Sequence, residues 1–355
     1  MARARFLAER GRGRTTPNPL VGAVVVSPDG VVVGQGAHLR AGDAHAEVHA
    51  LAAAADRARG ATLYCTLEPC CHTGRTPPCT DRIAESGIAR VVAAMRDPNP
   101  RVSGEGFARL RARGIEVVEP VDAGAAAELN APFLTWITRQ RPLVTLKLAV
   151  SADGLVGARD RRVTLTSAAM DRRMQRQRAE VDAIAVGADT AIVDDPLLTV
   201  RGCYRYRPLT RVIFDWRLRV PQTARVFSTL SAGPVIMMTT ATAAESRRAH
   251  AAELRDRGVV VEVIEEIGAP RIPAALGRLA AREILSLLVE GGPTLHEAFL
   301  ESDLVDRLQW IRTPKKLGSG VSAWDPAKYG IDLAAARTYA AGGDTLLEVH
   351  VHRPD

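Results

Sequence analysis

Leu67-Glu68-Pro69-Cys70-Cys71-His72-Thr73-Gly74-Arg75-Thr76-Pro77-Pro78-Cys79 carries three cysteines, and His45-Ala46-Glu47 precedes it in the chain. Of the five cysteines, four (Cys65, Cys70, Cys71, Cys79) fall in this neighbourhood. A disulfide framework would spread them along the chain, so cysteines clustered beside histidines read as a metal site. One histidine and two thiolates leave the fourth position of tetrahedral zinc open to water, which marks a catalytic site rather than a structural one. Zinc lowers the pKa of such a water to ~7. Glu47, two residues beyond His45 at a helix start, is placed to move protons without ligating the metal. Cys70 and Cys71 are adjacent, and residue type alone leaves either as the thiolate. A purely structural zinc site is the bland alternative, and no fourth protein ligand is obvious for it. His49 lies one turn after His45 without the glutamate of a metalloprotease pair, and it reads as a partly buried polar residue. Cys65 sits in an apolar strand and reads as core.

Outward from this segment the chain alternates strands and helices. Strands are expected at Val21–Val26, Val31–Gly34, Thr62–Thr66, Arg90–Met95 and Ile115–Val118. Helices are expected at His45–Arg59, from Asp81 to before Gly87, at Phe107–Arg113 and at Ala123–Arg139. Pro142 marks a boundary, which gives domains 1–141 and 142–355. The second series opens with strand Leu143–Val150 and continues with helix Ser167–Val181 and strands Ala183–Val186, Arg211–Asp215 and Pro234–Thr239. Helix Ala244–Arg257, strands Val259–Ile264 and Ile284–Val289, helix Thr294–Glu301 and strand Leu346–His352 complete it. Both halves read as α/β layers.

The 355 residues suffice for two cores, and 46% are apolar, which argues against long disorder. No apolar run approaches the ~20 residues that cross a bilayer. Met1 to Arg14 is charged and lacks a secretory core, so a cytoplasmic protein is expected. The net charge of +7 comes almost wholly from arginine, the only lysines being Lys147, Lys315, Lys316 and Lys328. No basic stripe with interleaved aromatics accompanies it, so a phosphorylated small molecule is the expected partner, with neither nucleic acid nor membrane.

The second half holds weaker motifs. Lys147 interrupts the apolar strand Val144-Thr145-Leu146-Lys147-Leu148, where desolvation demands a partner or a function. Asp194-Asp195-Pro196-Leu197-Leu198-Thr199-Val200-Arg201 follows. Val289-Glu290-Gly291-Gly292-Pro293-Thr294-Leu295 reads as strand, glycine turn and helix start, an arrangement that brings a pyrophosphate to helix N–H groups.

The Leu67–Cys79 segment closely resembles the long-loop motif of the bifunctional riboflavin-biosynthesis deaminase/reductase family. Thr16-Pro17-Asn18-Pro19-Leu20-Val21-Gly22 and Asp97-Pro98-Asn99-Pro100 resemble that family's other deaminase signatures. The resemblance implies an α/β fold, with an N-terminal cytidine-deaminase-like three-layer domain and then a dihydrofolate-reductase-like α/β domain. It implies zinc on His45, Cys70 and Cys79, with Glu47 as general acid/base, since ammonia must leave protonated. Asn18, His38, His72, Arg75 and Thr76 would line the pyrimidine pocket. NADPH would meet Val150, Thr164, Thr190, Asp194, Gly292, Pro293, Thr294 and Leu295. The reductase substrate would meet Arg162, Arg178, Leu198, Arg201 and Glu290, with Lys147, Asp194 and Glu290 as candidates to polarise or protonate the reacting carbon. The implied reactions deaminate 2,5-diamino-6-(5-phosphoribosylamino)pyrimidin-4-one and then reduce its ribosyl group to ribityl.

The chain departs from the family at three contact positions. Arg162 stands where Ser is usual, Thr164 where Trp is usual, and Trp216 where a small Ser follows the aspartate. A deaminase whose second domain only binds or scaffolds is therefore one alternative. A nucleic-acid-editing deaminase is another. A homo-oligomer is left open.

Overall fold

The computed structural model describes residues 1–72, 77–99, 102–265 and 271–352. The chain divides into two compact units, Met1–Gln140 and a second beginning at Arg141.

Strand alternation builds the first unit. In β1 (Gly22–Val26), Val24 packs with Ala4 and Leu7 of the helix Ala2–Ala8, while Ala23 and Val25 face the opposite side. With β2 (Val32–Ala37), β3 (Thr62–Cys65), β4 (Arg90–Ala93) and β5 (Glu116–Val118) it forms a sheet ordered β2-β1-β3-β4-β5. β1 runs antiparallel to β2 and β3, and the rest are parallel. Helices Ala46–Ala54, Cys79–Glu85 and Glu105–Ala112 cover the second face through Leu51, Ile83, Phe107 and Leu110. The result is three layers.

Two glycines set the height of the first of those helices. A Cβ on Gly34 would overlap the Ala50 carbonyl oxygen, and one on Gly36 the Ala46 carbonyl oxygen. Strand and helix therefore meet backbone to backbone, with His45 at the helix N-cap.

Three expected helices need correction. The one from His45 ends at Ala54, because Ala55 takes a φ of 50°, and a 3-10 turn follows. The expected Ala123–Arg139 helix is two, Ala123–Leu129 and Ala131–Arg139. Pro132 has no N–H to continue the ladder, and Asn130 turns its side chain to the Leu20 backbone, accepting at 2.7 Å and donating at 3.0 Å. The expected Ala244–Arg257 helix is also two, Ala241–Ser246 and Arg248–Asp256. The Thr240 hydroxyl caps the first by accepting from the Ala243 N–H at 3.1 Å, and Arg247 between them is non-helical.

The second unit is organised on a nine-stranded sheet. Its strands are β6 (Leu143–Val150), β8 (Ala183–Gly187), β9 (Thr210–Phe214), β10 (Val235–Thr240), β11 (Val260–Ile264), β12 (Ser286–Val289), β13 (Arg307–Arg312), β15 (Arg337–Ala341) and β16 (Asp344–His350). A separate pair joins β7 (Leu155–Gly157) to β14 (Val321–Ser322). The order is β11-β10-β9-β8-β12-β6-β13-β16-β15, parallel up to β13 and antiparallel beyond it. Val144, Leu146 and Leu287 bury one face with Leu276 and Phe299, while Ile184, Val186 and Ile213 bury the other with Leu254. A parallel sheet of this kind leaves a crevice beyond the carboxyl ends of its strands. Among the described residues no helix is long and apolar enough to cross a membrane.

Candidate functional site

In the first unit the helix starts aim three side chains at one point. His45 caps Ala46–Ala54, Cys79 opens Cys79–Glu85, and Cys70 lies in the loop after β3. His45 Nδ1 is 3.2 Å from Cys79 Sγ and 3.5 Å from Cys70 Sγ, and all three donor atoms lie within 4.8 Å of one another. Tetrahedral zinc with its usual Zn–N and Zn–S bonds separates such donors by about 3.6–3.8 Å. The group fits the ion.

Ionisation of one of the two thiols is prepared as well. A hydrogen bond from Cys79 lowers Cys70 to about 4 against the effect of burial, helped by His45 and the Cys79 N–H. The same hydrogen bond, with burial, pushes Cys79 up, so the first thiolate is Cys70. Glu47 is buried, and burial above all pushes its carboxyl up to about 7. Among the described residues its Oε2 has no hydrogen-bond partner. A buried carboxylate oxygen left unpaired beside the donor group is where a water or substrate proton would be received.

Asn18 Nδ2 donates to His38 Nε2 at 3.1 Å, which makes Nδ1 the protonated nitrogen, pointing at the Ala44 carbonyl at 3.2 Å. Burial lowers the His38 pKa, so the ring is neutral, and it sits edge-on to His45 at 5.4 Å. His72 is exposed, and Arg75 and Thr76 lie outside the described residues, as does Pro100. Cys71 is buried, its thiol pushed up by burial, and it stands outside the donor group. Cys65 belongs to the core. The expectation of a partly buried His49 is wrong: its side chain lies on the solvent side of the helix, exposed.

Sequence reasoning overlooked Glu68. Its carboxylate accepts N–H groups from Asp97 (3.2 Å), Gly104 (2.9 Å), Gly106 (2.9 Å) and Phe107 (3.3 Å), tying the cysteine loop to the start of Glu105–Ala112. A glutamate three residues beyond the strand Thr62–Cys65 and beside Pro69-Cys70 was the available signal.

The second unit has a cavity of about 610 Å³ at the ends of β8, β9 and β12. Thr190, Asp194, Gly292, Pro293, Thr294 and Leu295 all line it, and so does Trp216. Burial raises the Asp194 carboxyl, and the charge of exposed Arg162 partly offsets this. The other two expected cofactor positions are placed differently. Val150 packs in the sheet core, and Thr164 is exposed, its carbonyl accepting from Lys315 Nζ at 2.8 Å.

Of the expected reductase positions, Glu290 is the hub. Arg178 grips it with two hydrogen bonds (2.8 and 2.6 Å), and Lys147 Nζ lies 3.7 Å away. Burial favours the neutral acid, but Arg178 and Lys147 outweigh it and hold the carboxyl at about 2. Lys147 thus has the partner its position demanded. Leu198 lines a separate cavity of about 320 Å³, and Arg201 is exposed, its N–H donating to Gln175 at 2.9 Å. These two are not brought to the larger cavity. His296 also escaped notice. It is fully buried and kept neutral by burial, near the Val289 carbonyl (3.3 Å) and accepting from Trp324 Nε1 at 3.5 Å.

Fold and site together define a two-headed enzyme, a zinc-type hydrolytic centre on one α/β unit and a nucleotide-cofactor crevice on the other. Residues 1–95 match the cytidine and deoxycytidylate deaminase zinc-binding region, and residues 142–347 match the RibD C-terminal domain. The riboflavin biosynthesis protein RibD of Aquifex aeolicus is 44% identical over 92% of this chain and 89% of its own. That of Escherichia coli is 40% identical over 90% and 88%. The solved structure of Acinetobacter baumannii RibD superposes with a TM-score of 0.83 at 35% identity, covering 98% of this chain and 97% of its own. A Thermotoga maritima diaminohydroxyphosphoribosylaminopyrimidine deaminase/5-amino-6-(5-phosphoribosylamino)uracil reductase gives 0.82 at 35% identity, covering 99% and 97%. The chain belongs to the RibD family, the bifunctional deaminase/reductases of riboflavin biosynthesis. It is a zinc-dependent deaminase and an NADPH-dependent reductase, with both domains present.

Proposed function

We propose that residues 1–141 deaminate 2,5-diamino-6-(5-phosphoribosylamino)pyrimidin-4-one, with His45, Cys70 and Cys79 as the zinc ligands and Glu47 as the proton carrier. The observation that carries this is the convergence of the three donors beside the unpaired Glu47 Oε2. Bound zinc supplies a water acidified to ~7. Glu47, with a pKa of about 7, would carry one proton of the attacking water to the ring nitrogen and a second, from the added hydroxyl, to the departing ammonia. Asn18, held by neutral His38, presents its amide to the pyrimidine edge, and His72, Arg75 and Thr76 are the remaining substrate positions, the Arg75 charge suiting the phosphate. The cytoplasm is the proposed setting, because its reducing thiol pool keeps Cys70 and Cys79 available as ligands.

Residues 142–355 in this reading reduce the ribosyl group of the deaminated product. Bound NADPH supplies the hydride. Glu290 fixes Lys147 and Arg178 as two cations at the end of β12, where Lys147 polarises the reacting carbon and Arg178 orients the ribose. The N-terminus of helix Pro293–Glu301 receives the cofactor pyrophosphate. Arg162, Leu198 and Arg201 are the remaining substrate positions, and Val150 and Thr164 the remaining cofactor positions. The test is ammonia release from the aminopyrimidine without NADPH, followed by NADPH oxidation once the deaminated product has formed. Ammonia release without any NADPH oxidation would leave only the deaminase half standing.

A further inference from the structure

Trp216 stands at the crevice of the second unit, where an indole would either fill the cofactor space or become part of its wall. A cavity of about 610 Å³ remains with Trp216 lining it, so the ring shapes the space without closing it. The ring is half-buried, edge-on to Phe214 at 5.7 Å and 66°, with the Arg271 guanidinium 5.8 Å from its centroid. Such neighbours hold the indole in one orientation.

Strand order gives the crevice a direction. The sequence β9-β8-β12-β6 places Trp216, just after β9, three strand spacings from Lys147 on β6, or about 14 Å. The reacting carbon belongs beside Lys147 and Glu290, so the nicotinamide lies at the β6–β12 side. The pyrophosphate belongs at Gly292–Thr294, after β12. An extended dinucleotide then delivers its adenosine end to β8 and β9. Two arginines line the crevice there, Arg217 and Arg219. Arg219 is tied to Asp189 at 2.7 Å. Among the described residues Arg217 shows no ion pair and is exposed, which makes it the cation for a phosphate at the β9 end; Arg159, which also lines the cavity, follows β7 instead.

We infer that Trp216 is the stacking platform for the adenine of NADPH in this chain, and that Arg217 meets its 2′-phosphate. This rests on the second unit being the NADPH site. Neither residue type is needed for hydride transfer, so both act on cofactor affinity and choice.

The experiment measures equilibrium binding to the full chain by calorimetry, using NADPH, NADH, adenosine 2′,5′-bisphosphate and reduced nicotinamide mononucleotide as probes. Trp216→Ser should weaken adenosine 2′,5′-bisphosphate roughly tenfold, in keeping with the loss of one base–aromatic stack, and leave the nicotinamide mononucleotide unchanged. Trp216→Phe should recover most of the loss. Arg217→Ala should reduce the preference for NADPH over NADH by about tenfold, the scale of one charged hydrogen bond. Unchanged zinc content and far-ultraviolet spectra serve as the folding check, and if Trp216→Ser fails it, Trp216→Phe and Arg217→Ala still decide. Equal or tighter binding of the bisphosphate to Trp216→Ser overturns the inference while NADPH binding by the native chain keeps the reductase reading intact. A native chain that binds no NADPH overturns both.

Discussion

The two sites of this chain are built in opposite ways. In the deaminase unit the proposed zinc donors are already assembled, those of His45, Cys70 and Cys79 lying within 4.8 Å of one another, and Glu47 is buried. In the reductase unit most of the expected cofactor positions line a space, and among the expected substrate positions charge ties Arg178 and Lys147 to Glu290. A metal tolerates little freedom in its ligands. A dinucleotide is recognised over many weak contacts, so single positions can be exchanged.

The contrast predicts unequal sensitivity to substitution. The largest effect is expected for Cys79→Ser, which should lose zinc by elemental analysis and all measurable deamination, while calorimetric NADPH binding persists. Retention of one zinc per chain would break the assignment.

Glu47→Gln comes next. It should keep the metal and the fold but lose ~10²–10⁴-fold in ammonia release, the range of a general acid–base group. Near-native turnover by the zinc-loaded variant would remove Glu47 from the mechanism.

In the reductase unit, Glu290→Gln should act on stability as well as on turnover. It strands Arg178 without its carboxylate, and breaking a buried pair costs about 3–5 kcal/mol. Glu290 is depressed to about 2 from an ordinary carboxylate value near ~4.3. Its contribution is therefore complete above the unfolded value and lost as pH falls through the folded one. Denaturation of the second unit followed from pH 5 down to 2 should steepen in the native chain and flatten in Glu290→Gln. Parallel curves would show that the ion pair does not set acid stability.

The smallest effect belongs to Cys71→Ser. Its thiol is buried but outside the donor group, so zinc stoichiometry should stay at one, with a thermal midpoint lowered by no more than a few degrees. Zinc loss in Cys71→Ser with retention in Cys70→Ser would exchange their roles.

Legibility followed the same divide. His45, Glu47, Cys70 and Cys79 were readable because each residue type is scarce and its spacing chemically constrained. Strand β13 was missed because Arg307, Gln309 and Arg312 interrupt its apolar run, and Gln309 Nε2 finds its acceptor across the sheet in Glu348 on β16, at 2.9 Å. Helix Arg271–Ala280 was missed too, its Pro273 and Gly277 reading as breaks. The hinges at Asn130 and Arg247 depend on tertiary hydrogen bonds and local backbone that residue periodicity does not record. Glu68 and His296 were overlooked because their partners are backbone groups distant in sequence or a tryptophan on another segment. Leu198 and Arg201 were read as substrate positions, and the sequence did not record that Leu198, at a φ of 54°, lines the smaller cavity.

The glycines of β2 carry a further consequence. Because Gly34 and Gly36 let β2 touch the helix of His45 and Glu47 through main chain and Cβ atoms, no rotamer change can relax that spacing. Warming should therefore leave the catalytic distances nearly constant until the unit itself melts. Deamination would follow an ordinary rate increase and then stop abruptly, like a latch giving way, without a long decline beforehand.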